Sequence, residues 1–329
     1  MQISEQTRNR VFQAAAELGY VPDAAAQALA SGRSKTIGLL LVRRSHVIAS
    51  DMFLTQVMEV LVREINQQGM RMMLEVVENT DQRESYLRLV RSNSIDGILY
   101  SGPRIDDSAL GYLVEHNVPT VLMGALPGTS YYSVDVDNRA AAKLAVSHLV
   151  HLGHQRIGCI TNAGSSYAAA VGRLQGYQDA LDEAGLLYDP RYVRFGDFEP
   201  ESGYLQMKSL LAQRPALTAV FVASDVVALG AMAAIREQGL KIPEDVALVG
   251  FDDVPVSRYL DPSLTTVHLP IVELAKNACE MLIGLVRDEV PEIPQVLLGA
   301  KLYVRKSCGA VQAQMPHFEE NDSIFWEDL

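Results

Sequence analysis

The sequence predicts an α/β protein of two doubly wound parallel-sheet lobes, preceded by a short helical segment. Two observations predict it. From Thr36 onward, short apolar runs alternate with amphipathic helical stretches, and repeated β-α-β order means parallel strands with helices on both faces. The alternation then restarts at the run RIGCIT, Arg156 to Thr161, so the chain holds two such sheets in succession. A length of 329 residues with 48% hydrophobic and 21% charged residues is enough for more than one packed core.

In chain order, Ser4-Glu5-Gln6-Thr7 opens like a helix cap, and Val11, Ala14, Ala15 and Leu18 recur at helical spacing. Gly19-Tyr20-Val21-Pro22 ends that helix, because glycine suits the left-handed C′ position and proline cannot continue. Asp23 can cap the next stretch. Ala24 to Ala30 is almost entirely helix former, yet too short to be stable alone in water. Ser31 to Lys35 reads as a linker into the first strand, Thr36 to Val42. Helices are expected near 53–68, 82–92, 108–116 and 138–152, and strands at MRMMLEVV, IDGILYS, 118–123 and 134–136. After the restart come helices near 171–184, 200–213 and 226–238, with strands at 192–195, TAVFVAS and VALVGFD. A late helix near 271–286 and a strand at 295–298 cross back. Residues 310–329 are polar, acidic and without heptads, an acidic tail.

Composition excludes several classes. A net charge of -12 argues against non-specific nucleic-acid binding by the whole surface, though not against a small local DNA-binding module. Three distant cysteines form neither a metal spacing nor a disulfide framework, which fits a cytoplasmic protein. The N-terminus has no apolar signal core, and no run is long enough to span a membrane. His148, His151 and His154 are spaced by three, but Gly153 stops the helix before the third, so they read as a solvated helix end rather than a zinc site. No phosphate-binding loop, nucleophile elbow or HExxH occurs, and neither an enzyme nor a cofactor is expected.

In open parallel sheets, ligands sit beyond the carboxyl ends of the strands. Three polar groups fall at such ends: Asp252-Asp253 after VALVGF, Ser224-Asp225 after TAVFVA, and Asn162 after RIGCIT. Asp225 also reads as a cap for the helix that follows it, and Asp252 as part of a turn.

The motifs SEQTRNRVFQAAAELGYVPDAAAQAL, VDVDNRAAAKLAVSHLVHLGHQRIGCI, VGRLQGYQDAL and FVASDVVALGAMAAIREQGLKIPEDVALVGFDDVPVSRYLDPSLTTVHLP occur in this order from Ser4 to Pro270, and the likeness runs on to about Cys308. Together they resemble the LacI/GalR family of bacterial repressors. The resemblance implies periplasmic-binding-protein-like lobes joined by three crossovers, a small-molecule effector in the cleft, dimerisation along the lobes and operator DNA as partner. It divides the chain into a remnant of a helix-turn-helix head (1–22), a hinge helix and linker (23–35), an effector-binding core (36–309) and the tail. The N-lobe is expected over 36–161 and 269–298, the C-lobe over 162–268 and 299–309. The family's recognition helix would precede Met1, which fits either a late start or a truncation.

The resemblance also implies roles for residues. Ser4 and Thr7 match hydroxyls that touch phosphate, and both equally suit N-capping. Leu29 matches the hinge leucine that wedges into the minor groove, with Gln27 and Ala28 beside it. Arg173 matches an arginine that grips effector hydroxyls, its planar fork suiting paired oxygens. Phe198 matches an aromatic that stacks on the ligand, lobe packing being its other reading. Asp51 and Phe53 match an N-lobe cleft segment. Ser224 stands where Asn is common, His268 where Gln is common, and Ala125 near a frequent Arg. The expected function is a ligand-responsive transcriptional regulator with a sugar or sugar derivative as effector. A freestanding sugar-binding protein and a purine-responsive regulator are the alternatives.

Overall fold

The computed structural model describes residues 4–20, 32–78, 82–92 and 94–310. Helix α1, Glu5–Glu17, begins where the Thr7 amide donates to Ser4 Oγ at 3.3 Å. It ends at Gly19, whose φ of +62° lets the Tyr20 amide return to the Ala15 carbonyl at 2.8 Å. Val11 on this helix and Leu18 just beyond it are exposed. The expected hinge helix at 24–30, with Gln27, Ala28 and Leu29, lies outside the described residues, as does the tail from residue 311.

The first sheet has the order β11-β5-β4-β3-β1-β2 and all its pairings are parallel. Its members are β1 (Thr36–Val42), β2 (Arg71–Val77), β3 (Gly97–Ser101), β4 (Thr120–Met123), β5 (Ser133–Val136) and β11 (Gln295–Leu298). Strand β1 is central, and Ile37 to Val42 are all buried because helices cover both faces. The helices are α2 (Met52–Gln67), α3 (Gln82–Ser92), α4 (Leu110–Glu115) and the late α9 (Ile271–Val286).

The second sheet has the order β12-β10-β9-β8-β6-β7. It comprises β6 (Ile157–Thr161), β7 (Val193–Phe195), β8 (Ala219–Val222), β9 (Ala247–Asp252), β10 (Thr265–His268) and β12 (Lys301–Tyr303). Helices α5 (Asn138–His151), α6 (Ala168–Glu183), α7 (Pro200–Leu211) and α8 (Asp225–Glu237) accompany it. The chain passes between the sheets three times, after β5, after β10 and after β11.

Two expectations need correction. The N-lobe was expected to reach residue 161, but β6 pairs within the second sheet and α5 packs along α6, so the passage comes directly after β5. Strands β10 and β12 were not foreseen. At four and three residues, they carry no apolar run to betray them, and the β10–β12 pair is antiparallel. The close approach of α5 to α6 depends on Gly176, where a Cβ would collide with the Arg139 carbonyl and the Ala142 side chain. Arg139–Asp179 and Lys143–Glu183 pair along the outside of the same contact.

Candidate ligand-binding cleft

The carboxyl ends of β1, β3, β5, β6, β8 and β9 gather their polar residues at the junction of the two lobes. Arg173, on α6, is 7% exposed although it carries a full charge. Its Nε donates to Asn138 Oδ1 at 2.8 Å and its Nη1 to the Ala223 carbonyl at 2.7 Å. The guanidinium lies 3.9 Å over the Phe251 ring, and Nη1 stands 3.5 Å from Asp252 Oδ1. The fork is therefore fixed on three sides, with Nη2 bearing no hydrogen bond among the described residues.

Burial pushes the Asp252 carboxyl up to about 8, and it wins over the opposing pull of Arg173 and of the Ser224 hydroxyl. Asp225 and Asp51 add to the rise. Asp252 and Asp253 sit at φ +112° and +54°, a left-handed region that L-residues enter at a cost of about 1–3 kcal/mol each. Asp225 holds them there. Its Oδ1 accepts from the Phe251 amide at 2.8 Å and its Oδ2 from the Val254 amide at 3.1 Å, one on each side of the strained pair. It also accepts from the hydroxyls of Thr266, at 2.7 Å, and Ser257, at 2.6 Å. Gly250 leaves room for this carboxylate, since a Cβ there would strike Asp225 Oδ1.

The two roles expected of Asp225 thus change. It is the first residue of α8, with Ser224 at the cap position, and both its oxygens are taken by protein donors. It positions Asp252. Asp253 is likewise engaged, by Arg305 Nη2 at 2.6 Å and His268 Nδ1 at 2.9 Å. His268 in turn stacks on Tyr303, with centroids 4.6 Å apart.

From the first lobe, Asp51 caps α2 by accepting from the Leu54 amide at 2.9 Å and pairs with Arg43 Nη1 at 2.5 Å. Phe53 is half-buried against the main core. The Arg43 guanidinium lies 4.7 Å from the centre of the Phe198 ring, which meets Tyr167 edge-on at 5.0 Å. Tyr167 donates to the Val42 carbonyl at 3.0 Å, and Arg104 covers its ring at 5.0 Å. Phe198 is therefore a bridge between lobes, with its ring engaged by protein on two sides. Asp135, at the end of β5, accepts from the Ala125 amide at 2.8 Å and from Asn138 Nδ2 at 3.1 Å. Burial raises its carboxyl to about 6.

Sequence reasoning did not single out Arg43, Asp135 or Tyr167. Arg43 directly follows the first apolar run and Asp135 lies in β5, so the strand-end rule applied to all strands would have found both. Tyr167 has no such signal. The three histidines go separate ways: His148 to Cys308 Sγ at 3.3 Å, His151 to its own helix backbone, and His154 to Thr218.

Residues 146–308 match the family described as "Periplasmic binding protein-like domain". The HTH-type transcriptional regulator CelR of Thermobifida fusca is 32% identical over 309 residues, 93% of this chain and 91% of that protein. The chain belongs to the LacI/GalR family of transcriptional regulators. Among solved LacI-family structures, a CelR–cellobiose complex matches with a TM-score of 0.78 at 31% identity, covering 93% of this chain and 92% of that one. The lac repressor dimer bound to operator and the anti-inducer ONPF matches with a TM-score of 0.81 at 29% identity over 94% of this chain and 92% of that one. No helix among the described residues is long and apolar enough to cross a membrane.

Proposed function

We propose that this chain is a ligand-responsive, DNA-binding transcriptional regulator of the cytoplasm whose core senses a small-molecule effector. A sugar or sugar derivative binds between the lobes without turnover, and its binding controls operator affinity. The observation that carries the reading is the buried pair Arg173 and Asp252 at the strand ends. A fixed fork with Nη2 left to donate, beside a carboxyl that burial raises to about 8 and that can therefore both donate and accept, suits vicinal hydroxyls, each of which donates and accepts. The CelR–cellobiose structure supports the ligand class, and the operator-bound lac repressor supports the partner. Ser224, Asp51 and Phe198 complete the surroundings of the site. In the head and hinge, Ser4, Thr7, Gln27, Ala28 and Leu29 are the proposed DNA contacts.

The mechanism follows from coupling. A ligand that bridges the lobes favours one angle between them. In a homodimer that angle sets the spacing of the two first lobes, and so the geometry of the paired segments 23–35 that approach DNA. A ligand shifts this equilibrium only by its differential affinity for the two angles, and 1–3 kcal/mol is typical of such coupling.

Calorimetry against a panel of sugars and purines tests the reading. Asp252→Asn is expected to weaken sugar binding about 5- to 150-fold, corresponding to ~1–3 kcal/mol. Arg173→Ala should cost at least as much, because it leaves Asp252 unpaired. A tight sugar ligand unaffected by either change rules out the site, and exclusive binding of purines rules out the ligand class.

A further inference from the structure

Away from the cleft, a groove runs along the second half of α5 and beside β12, the edge strand of the second sheet. One face of the helix lines it: Leu144, Ser147, His148 and His151 stand at the i, i+3, i+4, i+7 spacing of a single stripe. Lys301 and Leu302 of β12 line the other side. The volume is about 460 Å³, within the ~300–1,000 Å³ of cavities that take a ligand-sized apolar group. Leu144 is 42% exposed there. None of the lining residues is acidic, in a chain with a net charge of -12. Lys301 is exposed and makes no ion pair among the described residues. An apolar groove open beside an edge strand is a surface that proteins normally cover.

We propose that this groove is covered in cis by the chain's own residues 311–329, with Ile324, Phe325 and Trp326 as the anchor. Three observations point to this occupant. The first is where the described chain leads. Cys308 Sγ lies 3.3 Å from Nε2 of the groove residue His148, and Ala310 packs against the main core. Phe325 stands 15 positions beyond Ala310, and a coil of that length spans about 20 Å. The segment therefore reaches the groove without crossing the molecule, at an effective concentration on the order of millimolar.

Composition is the second. Three of these 19 residues are aromatic, against 7% of the whole chain, and a stretch that stays in water normally carries few. Ile324-Phe325-Trp326 is a continuous apolar triplet, and a seated aromatic side chain buries about 150–250 Å². Charge is the third. Glu319, Glu320 and Asp322 precede the triplet, Glu327 and Asp328 follow it, and the segment has no lysine or arginine. Acidic flanks around an apolar anchor match an apolar groove with Lys301 at its edge and no lining carboxylate. The apolar contacts hold the segment, and the exposed charges, which contribute little in water, orient it. None of these residues belongs to the effector cleft, so the docking holds whatever the effector.

Trp326 is the only tryptophan of the chain, so its fluorescence reports the docking directly. The experiment records its emission and its quenching by acrylamide in the 329-residue chain, with the free peptide 311–329 as the exposed reference. In wild type the emission should lie to the blue of the peptide's and be quenched several-fold less. Leu144→Asp replaces an apolar contact by a charge like those of the segment, and Lys301→Glu turns the edge of the groove negative. Both positions are exposed, so both variants should melt within a few degrees of wild type. Each should move the emission and quenching towards the peptide's, Leu144→Asp the further. Leu187→Asp, at a 95% exposed position outside the groove, should change neither. Trp326 as accessible in wild type as in the peptide overturns the docking. Shielding that persists in both Leu144→Asp and Lys301→Glu, or that Leu187→Asp removes equally, overturns this groove as the seat. Shielding lost on dilution assigns the segment to a second copy and overturns the cis arrangement.

Discussion

Asp225 shows how one carboxylate can serve a site without touching its ligand. Four protein donors converge on it, and two of them are the amides that bracket the strained Asp252-Asp253 pair. An amide in its place presents hydrogens to groups that are themselves donors. Asp225→Asn is therefore expected to lose at least about 2 kcal/mol of stability in urea unfolding, with effector affinity falling alongside. A variant as stable as wild type would show that the four bonds are worth little. The raised carboxyls make a second prediction at this scale. Asp252, Asp225 and Asp135 are lifted by burial to about 8, about 7 and about 6, against an ordinary value near 4 when unfolded. Through these three groups the folded state binds more protons across that window, so they make ligand-free stability fall as pH rises from about 4 to about 8, while His148 and His154, lowered by burial, work in the opposite direction below their ordinary value. Melting temperatures taken every half unit should decline through this range, and the decline should be shallower in Asp252→Asn. A melting curve that rises with pH over the window contradicts the assignment.

Among the elements, the α5–α6 pair joins the passage between the sheets to the arginine at the site. Gly176 brings the helices together, Asn138 at the start of α5 orients Arg173 of α6, and Asp135 just ahead of α5 receives Asn138 in turn. A residue with any side chain at Gly176 must push α5 away. Gly176→Val should cost about 1–3 kcal/mol as overpacking, and should reduce effector affinity because Asn138 moves relative to Arg173. Chemical denaturation together with calorimetry reads both. Lost stability with unchanged affinity would mean that the helix contact and the site are independent.

At the scale of the whole molecule, the lobes also meet outside the buried cleft. Arg44 pairs with Asp197 and lies 3.8 Å from Glu199, while His46 lies 3.7 Å from Glu199. The Ile105 amide donates to the Ser166 carbonyl at 2.7 Å, and Arg104 bridges to Tyr167. These charges are half-exposed, so each pair contributes little on its own, in the range of about 0–1 kcal/mol. A closed-to-open equilibrium can nonetheless turn on such amounts. Arg44→Glu is expected to increase the radius of gyration of the ligand-free chain in small-angle scattering and to weaken effector binding by no more than about fivefold. An unchanged scattering curve would place the closing force elsewhere. Assembly belongs to this scale too. The dimer is expected to survive deletion of residues 310–329, since that stretch has no heptad seam. Sedimentation of the shortened chain as a monomer would assign the tail an assembly role.

How much of this was legible beforehand depends on the range of the interaction. The alternation of apolar runs with helical periodicity marked nearly every long element, and α3 and α9 lie where the spacing put them. Cap chemistry marked Ser4 and Gly19, because a cap is settled within a few residues of chain. The strand-end rule brought out Asp252, Ser224 and Asn162, since a strand's end is a local property. Strands β10 and β12 escaped because three or four residues hold no period. Their existence is decided by pairing across the sheet. The lobe boundary was displaced for the same reason: β6 looks like any other apolar run until its partner is known. Asp225 looked like a cap or a ligand group, and only the convergence of Ser257 and Thr266 upon it assigned its task. The sequence by itself determined the elements, the family and which strand ends carry polar groups, because these follow from local periodicity and motif order. Tertiary structure decided which of those groups are spent on one another and which, like Arg43 Nε and Asn162 Oδ1, have no partner among the described residues, because hydrogen-bond partners are set by contacts between residues far apart in the chain.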